Sequence, residues 1–108
     1  MSQKDKRKEE KHQPREEITL SDPCTVAIIF HEKKGLILRL LIEKEMTIIE
    51  LKHATGMNPG TIKRHLDDLL KCDLIRISKE KLSEYSIVMK YYRAVAKKFN
   101  FDITWSGK

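Results

Sequence analysis

Residues 47–73 read TIIELKHATGMNPGTIKRHLDDLLKCD, two helical segments around a glycine. The first opens on Thr47 with Glu50 three positions later, the spacing at which a hydroxyl and a carboxylate satisfy each other's backbone donors in a capping box. Ile48, Ile49, Leu51 and Ala54 supply its apolar positions before Gly56, where a left-handed residue closes a helix. The second opens on Asn58 as cap and Pro59 at the first helical position, where a missing N–H costs nothing. Ile62, Leu66, Leu69 and Leu70 then fall at i, i+4, i+7 and i+8, a single apolar stripe at helical period. Opposite the stripe, within the first two turns, lie Gly60, Thr61, Lys63 and Arg64, all small, polar or cationic. This is the pattern of a helix-turn-helix whose second helix offers its leading end to a phosphate-lined groove.

The rest of the chain is compatible with that reading. At 108 residues it has room for one domain with a modest core. The 22 Lys+Arg outnumber the 16 Asp+Glu for a net charge of +6, which favours a polyanionic partner. A well-solvated surface on a charge-rich protein is the competing account of the same excess. Cys24 and Cys72 lack C-x-x-C spacing, and the chain does not open on an apolar leader, so a reduced, cytoplasmic setting is expected. No apolar run approaches the roughly 20 residues of a membrane span. No nucleophile–base–orienter set, phosphate-cradling glycine loop or metal-ligand spacing is visible, so neither an enzyme nor a bound cofactor or metal is expected.

Residues 1–17 carry six basic and five acidic side chains and nothing apolar after Met1, which predicts a disordered charged tail. A basic arm tracking DNA phosphates is the alternative use of that segment. Residues 18–108 are read as the folded domain. Ser21 or Asp22 caps a first helix entered through Pro23, with Cys24, Ala27, Ile28 and Phe30 as its apolar face. After a charged break at residues 31–34, GLILRLLIEK is apolar nearly all round and predicts a central helix covered on two sides, by Leu36, Ile37, Leu40 and Leu41 and by Leu38 and Ile42. Residues 74–77 and 85–88 are β-rich and flank the polar residues 78–84, a hairpin placed as a wing would be. Residues 89–100 return to helical spacing. Tyr91, Tyr92, Val95 and Phe99 form an aromatic face that a second copy of the chain would cover, so a homodimer is expected, with packing back onto the protomer's own core as the alternative. Phe101, Ile103 and Trp105 alternate with polar residues as an extended strap.

The order helix, helix, helix-turn-helix, wing, helix, with ILRLLIEKEMTIIELKHATGMNPGTIKRHLDDLLKCDLI and KYYRAVAKKF, resembles the ArsR-type winged-helix transcriptional regulators, above all their archaeal branch. The likeness spans roughly residues 21–101. It implies a mainly α fold with a small β-hairpin and a C-terminal dimerisation helix, and a dimer that sets two recognition helices in successive major grooves of double-stranded DNA, usually to repress transcription. Carried over by position, Asn58, Gly60, Thr61, Lys63 and Arg64 would face the groove, and Arg76, Lys79 and Lys81 would form the wing contacts. The metal-sensing sites of that family do not carry over. Residues 47–55 hold His53 but no cysteine, and residues 89–100 hold neither histidine nor carboxylate.

Arg64 is the candidate for base readout, because a guanidinium binds guanine O6 and N7 as a bidentate fork. The competing role is an i, i+4 ion pair with Asp68. Lys63 and Thr61 suit phosphates, which fix register without reading sequence. His65 sits beside the apolar stripe and reads as a packing residue, Cys24 and Cys72 as small buried hydrophobes, and Tyr91 and Tyr92 as packing residues rather than stacking platforms. Residues 59–81 hold six basic and four acidic side chains, a balance that keeps open a second function, a winged helix used for protein docking in a larger assembly.

Overall fold

The computed structural model of the chain describes residues 14–104, 106 and 107. In chain order the elements are β1 (Ile18–Leu20), α1 (Pro23–Phe30), α2 (Glu32–Glu43), α3 (Ile48–Thr55), α4 (Pro59–Lys71), β2 (Ile75–Leu82), β3 (Val88–Ala94) and β4 (Phe99–Phe101). Each helix starts where a side chain satisfies an orphan amide. Asp22 Oδ2 accepts from Thr25 N–H at 3.2 Å, and His31 Nδ1 from Lys34 N–H at 3.3 Å. Thr47 and Glu50 close the capping box in both directions, at 3.1 and 2.9 Å. Asn58 Oδ1 accepts from Gly60 N–H at 2.7 Å, with Pro59 behind it.

The helix ends are equally specified. Gly56 stops α3 at φ 77°, in the left-handed region. At the end of α4, Asp73 adopts φ 58°, with Asp73 N–H donating to Leu70 C=O at 3.0 Å and Leu74 N–H to Leu69 C=O at 3.1 Å. That is a Schellman closure with an aspartate in the usual glycine place. It turns the chain directly into β2.

Ile37, Leu41, Leu51, Ile62, Leu66, Leu69 and Leu74 are fully enclosed, so the stripe of α4 and the inner side of α2 meet in one core. Gly35 lies at the crossing of α1 and α2. A methyl added there would sit 2.5 Å from the Ile29 carbonyl oxygen, against backbone that has no flexible end to move aside. Gly35→Ala is therefore expected to lower stability by about 1–3 kcal/mol through overpacking, against the roughly 1 kcal/mol that helix propensity alone would add. A rise in the urea midpoint of that variant would show that the crossing is not this tight.

β2 and β3 form an antiparallel hairpin, with Ile75 opposite Ala94, Arg76 opposite Arg93, Ile77 opposite Tyr92, and a bulge between Ile77 and Lys79. Met46 adds a short bridge on the far side of β3, exchanging hydrogen bonds with Tyr92 at 3.0 and 2.9 Å. The turn spans residues 83–87, where Ser83 Oγ accepts from the amides of Tyr85 and Ile87, both at 3.2 Å. The wing strands thus run well beyond the two short stretches expected from sequence.

Several expectations are corrected. The helix read over residues 89–100 is absent: β3 occupies its first half and the short β4 its end. Tyr92, Ala94 and Ala96 are buried while Tyr91, Arg93 and Val95 between them are half-buried, an alternation of period two that the aromatic-rich segment also supports. β4 pairs in parallel with β1, Ile18 opposite Phe99 and Leu20 opposite Phe101. Of the tail read over residues 1–17, residues 1–13 lie outside the described residues, but Arg15 is held at both ends of its peptide, its N–H on Val95 C=O at 2.8 Å and its C=O receiving Lys97 N–H at 2.9 Å. Glu17 receives the Asn100 side-chain amide. The central helix starts at Glu32, because His31 caps it, rather than after a charged break. On α1, Val26 is buried while Cys24, Ala27 and Phe30 are exposed, so Cys24 is not the buried hydrophobe expected. Of the strap, Phe101 and Ile103 are exposed, and Trp105 lies outside the described residues.

Candidate nucleic-acid interface

α4 has two unlike edges. Ile62, Leu66 and Leu69 are 0% exposed, so that edge is committed to the core. Asn58, Gly60, Lys63 and Arg64 are exposed and Thr61 is half-buried, so the leading turns project outward as the sequence pattern predicts. Lys63 Nζ donates to Asp67 Oδ1 at 2.7 Å, an exposed i, i+4 pair that holds the Lys63 ammonium above its usual pKa. Such a pair is worth little in water, so Lys63 can exchange Asp67 for a phosphate.

The alternative weighed for Arg64 does not form. Asp68 instead receives Lys34 of α2, at 3.4 Å. Among the described residues no ion pair or hydrogen bond engages the Arg64 guanidinium. His65, one position on, is half-buried, and its Nδ1 is enclosed without a hydrogen-bond partner. Burial first, then the cations Lys34 and Arg64 and the neighbouring His31, push its pKa below the usual histidine value.

Of the wing cations expected from sequence, Arg76 sits on a strand as read, and Lys79 and Lys81 share that strand, β2, rather than lying in a loop. Register places Arg76, Lys79 and Lys81 opposite Arg93, Tyr91 and Met89, every second residue of β3, so the three share the sheet face that turns away from the core. Lys79 Nζ lies 2.8 Å from Glu45 Oε2, and Glu45 Oε1 accepts from Ser78 Oγ at 2.6 Å. The Lys79 hydrogen bond, then that of Ser78, holds the Glu45 carboxyl below its usual range. Lys79 and Lys81 also stand over the Tyr91 ring, at 4.7 and 5.9 Å from its centre. The cleft between α4 and the wing is lined instead by Lys63, Lys90 and the apolar Ile49, Ile87 and Val88. Lys90 was missed by sequence reasoning, which had placed it on the polar side of a helix. Only the strand register, which sets it opposite Glu80, turns it toward α4.

The four residues expected at a dimer contact are not on one helix. Tyr92 is 2% exposed in the core, Tyr91 lies under the wing lysines, Val95 follows β3, and Phe99 packs from β4 against the core. The exposed aromatic surface is elsewhere. Phe30 at the end of α1 is 70% exposed and Phe101 at the end of β4 43%, their ring centres 5.3 Å apart, with Leu36 of α2 and Ile103 at 40% and 38%. Among the described residues no group of three or more His, Cys, Asp or Glu side chains is placed to hold a metal, and no helix is long and apolar enough to cross a membrane.

Residues 31–76, from the cap of α2 to the second residue of β2, match the family described as bacterial regulatory protein, arsR family. No curated protein matches the chain. Among solved structures, the chain is similar to the transcriptional regulator HlyU from Vibrio vulnificus CMCP6, 19% identical over 64% of this chain and 66% of that one, with a TM-score of 0.52. Reduced HlyU from Vibrio cholerae N16961 is 20% identical, over 64% of this chain and 66% of that one, at TM-score 0.55. The third is the homodimeric winged helix-turn-helix DNA-binding domain (fragment 1-100) of Mb0332 from Mycobacterium bovis, a possible ArsR-family transcriptional regulator. It is 23% identical, over 68% of this chain and 62% of that one, at TM-score 0.53. The chain thus spans less than two thirds of the length of each of these structures. The shared architecture is a winged helix-turn-helix with four helices and a β-hairpin.

Proposed function

We propose that this protein is a sequence-specific double-stranded DNA-binding transcriptional regulator, acting as a homodimer and repressing the genes whose operators it covers. One observation carries the reading: Arg64 stands on the outward edge of a helix whose other edge is wholly committed to the core, and among the described residues no ion pair or hydrogen bond engages it. In a duplex, α4 enters the major groove, Arg64 reads guanine, Asn58, Gly60, Thr61 and Lys63 meet groove and phosphates, and the wing residues Arg76, Lys79 and Lys81 meet flanking backbone. The matched arsR-family segment and the homodimeric Mb0332 domain support this assignment. The dimer is assigned to the Phe30 and Phe101 face, because an exposed aromatic pair on so small a domain calls for a cover and a second copy supplies the same patch.

Fluorescence anisotropy on genomic operator and random duplexes tests the reading. Affinity is expected to fall steeply with salt, by roughly 10³–10⁵-fold between about 50 and 200 mM for six to ten phosphate contacts. Arg64→Ala is expected to cost about 1–3 kcal/mol at one base position and relax preference there, whereas Lys81→Ala weakens every sequence alike. Equal effects of both on specific and random DNA would reject this division of labour. A second reading, protein docking in a larger assembly, is favoured by the apolar wing tip, where Leu82, Tyr85, Ile87 and Val88 are 69%, 78%, 62% and 52% exposed. Failure to bind any genomic duplex at low salt would transfer the assignment to it.

A further inference from the structure

Beside the recognition helix an open groove separates the first turn of α2 from α4, and it adds residues 31–34 to the Thr61 and Arg64 already assigned to DNA. Its cations are Lys33, Lys34 and Arg64, and its carboxylates Glu32 and Asp68. Lys34 and Asp68 compensate each other at 3.4 Å and Arg64 is given to the guanine contact, while among the described residues no ion pair engages Lys33, whose ammonium is the charge left to the groove. The groove also gathers neutral donors. Because His31 Nδ1 accepts the Lys34 amide, the neutral His31 ring carries its proton on Nε2, the edge turned away from that amide. Thr61 adds a hydroxyl from the leading turn of α4, and the His65 ring, 5.5 Å from that of His31, flanks them with its buried, unpartnered Nδ1.

A Lys33 ammonium without an ion pair among the described residues and the convergent His31 and Thr61 donors describe a seat for a tetrahedral oxyanion, and the seat adjoins the edge of α4 that faces the duplex. Resting on the regulator reading, we propose that this groove grips one backbone phosphate of the bound duplex, with Lys33 as its charge and His31 Nε2–H and Thr61 as its hydrogen-bond donors. The strand so held flanks the major groove on the side of α4 away from the wing. α4 is then clamped by phosphates on both flanks, which fixes its register without reading any base.

The test compares Lys33→Ala, His31→Asn and Lys97→Ala in the full chain. Asparagine keeps a cap for α2 while removing the imidazole donor, and Lys97 is an exposed control, outside the groove lining and paired with Glu16. Lys33→Ala is expected to reduce the slope of log affinity against log salt by about 1 and to weaken specific and random duplexes equally. His31→Asn is expected to weaken both several-fold with little change in slope, and Lys97→Ala to change neither. A Lys33→Ala slope equal to wild type, in a protein whose Arg64→Ala variant still loses base preference, overturns the groove and leaves the regulator reading standing. Failure of the wild type to bind any duplex fells that reading first. Inorganic phosphate added alone separates the sources of the anion. If millimolar phosphate shifts the His31 resonances while Lys33→Ala leaves duplex binding intact, the groove serves a free oxyanion and the DNA assignment is wrong.

Discussion

Phe30→Glu is expected to leave the fold intact and split the dimer, lowering affinity for a two-half-site operator by roughly 10²–10⁴-fold, the advantage that linking two binding events confers. The fold survives because Phe30 is 70% exposed within the protomer, so the substitution removes little core packing. The dimer does not survive, because a two-fold interface presents each changed residue twice and two carboxylates would be buried against aromatic surface without partners. Phe101→Glu, across the 5.3 Å ring contact, is expected to act in the same way. Sedimentation reads the assembly directly, and anisotropy with one-half-site and two-half-site duplexes reads its consequence. The variants should match wild type on the single half-site and lose only the gain from the second. A variant that remains dimeric places the interface elsewhere. A wild type that is monomeric at all concentrations removes the homodimer altogether.

What the residues declared in advance, and what they concealed, divides along the range of the interactions. The helix-turn-helix was legible to the level of single atoms, since the Thr47 and Glu50 box, the Gly56 stop and the Asn58 cap are all closed within four residues of sequence. The stripe of α4 was equally plain, because a helix that buries one edge repeats every three to four residues whatever it packs against. The error lay in KYYRAVAKKF, whose apolar residues fit a helical face and a strand face at once. Its state is decided by β2 and by Met46, which donates to and accepts from Tyr92 across a separation of 46 positions that no local pattern reveals. The same non-locality hid Lys90 and the parallel pairing of β1 with β4, which links the two ends of the domain.

At the candidate site, the positions were readable and the partners were not. Arg64 and Asp68 stand at the i, i+4 spacing that favours a pair, yet Lys34 of α2 takes Asp68 and leaves Arg64 to solvent. Lys79 was expected on DNA, and the structure first gives it to Glu45, so in the proposed complex a phosphate must compete with that carboxylate for its ammonium. Among the described residues Lys81 has only the Tyr91 ring beneath it and makes no such exchange. That difference is why Lys81 rather than Lys79 is the cleaner probe of wing contact.

Tyr91 and Tyr92 separate the strand from the helix most sharply. On one helical face the two rings would share an environment, and truncating either would cost alike. On β3 they point to opposite sides, Tyr92 into the core at 2% exposure and Tyr91 outward beneath Lys79 and Lys81. Tyr92→Ala is therefore expected to cost about 3–5 kcal/mol through the cavity it leaves. That is a large share of the roughly 5–15 kcal/mol that keeps a small domain folded. Tyr91→Ala is expected to cost about 0.5–1 kcal/mol, the worth of exposed cation–ring contacts. Urea midpoints measured on the two variants decide the matter, with Tyr92→Ala unfolded or nearly so in buffer and Tyr91→Ala close to wild type. Tyr92→Phe, which keeps the ring, should recover most of the loss and show that packing rather than the hydroxyl carries it. Equal midpoints for the two alanine variants would mean that residues 89–100 do not alternate, and the wing, the Met46 bridge and the placement of Lys90 would fall with the strand.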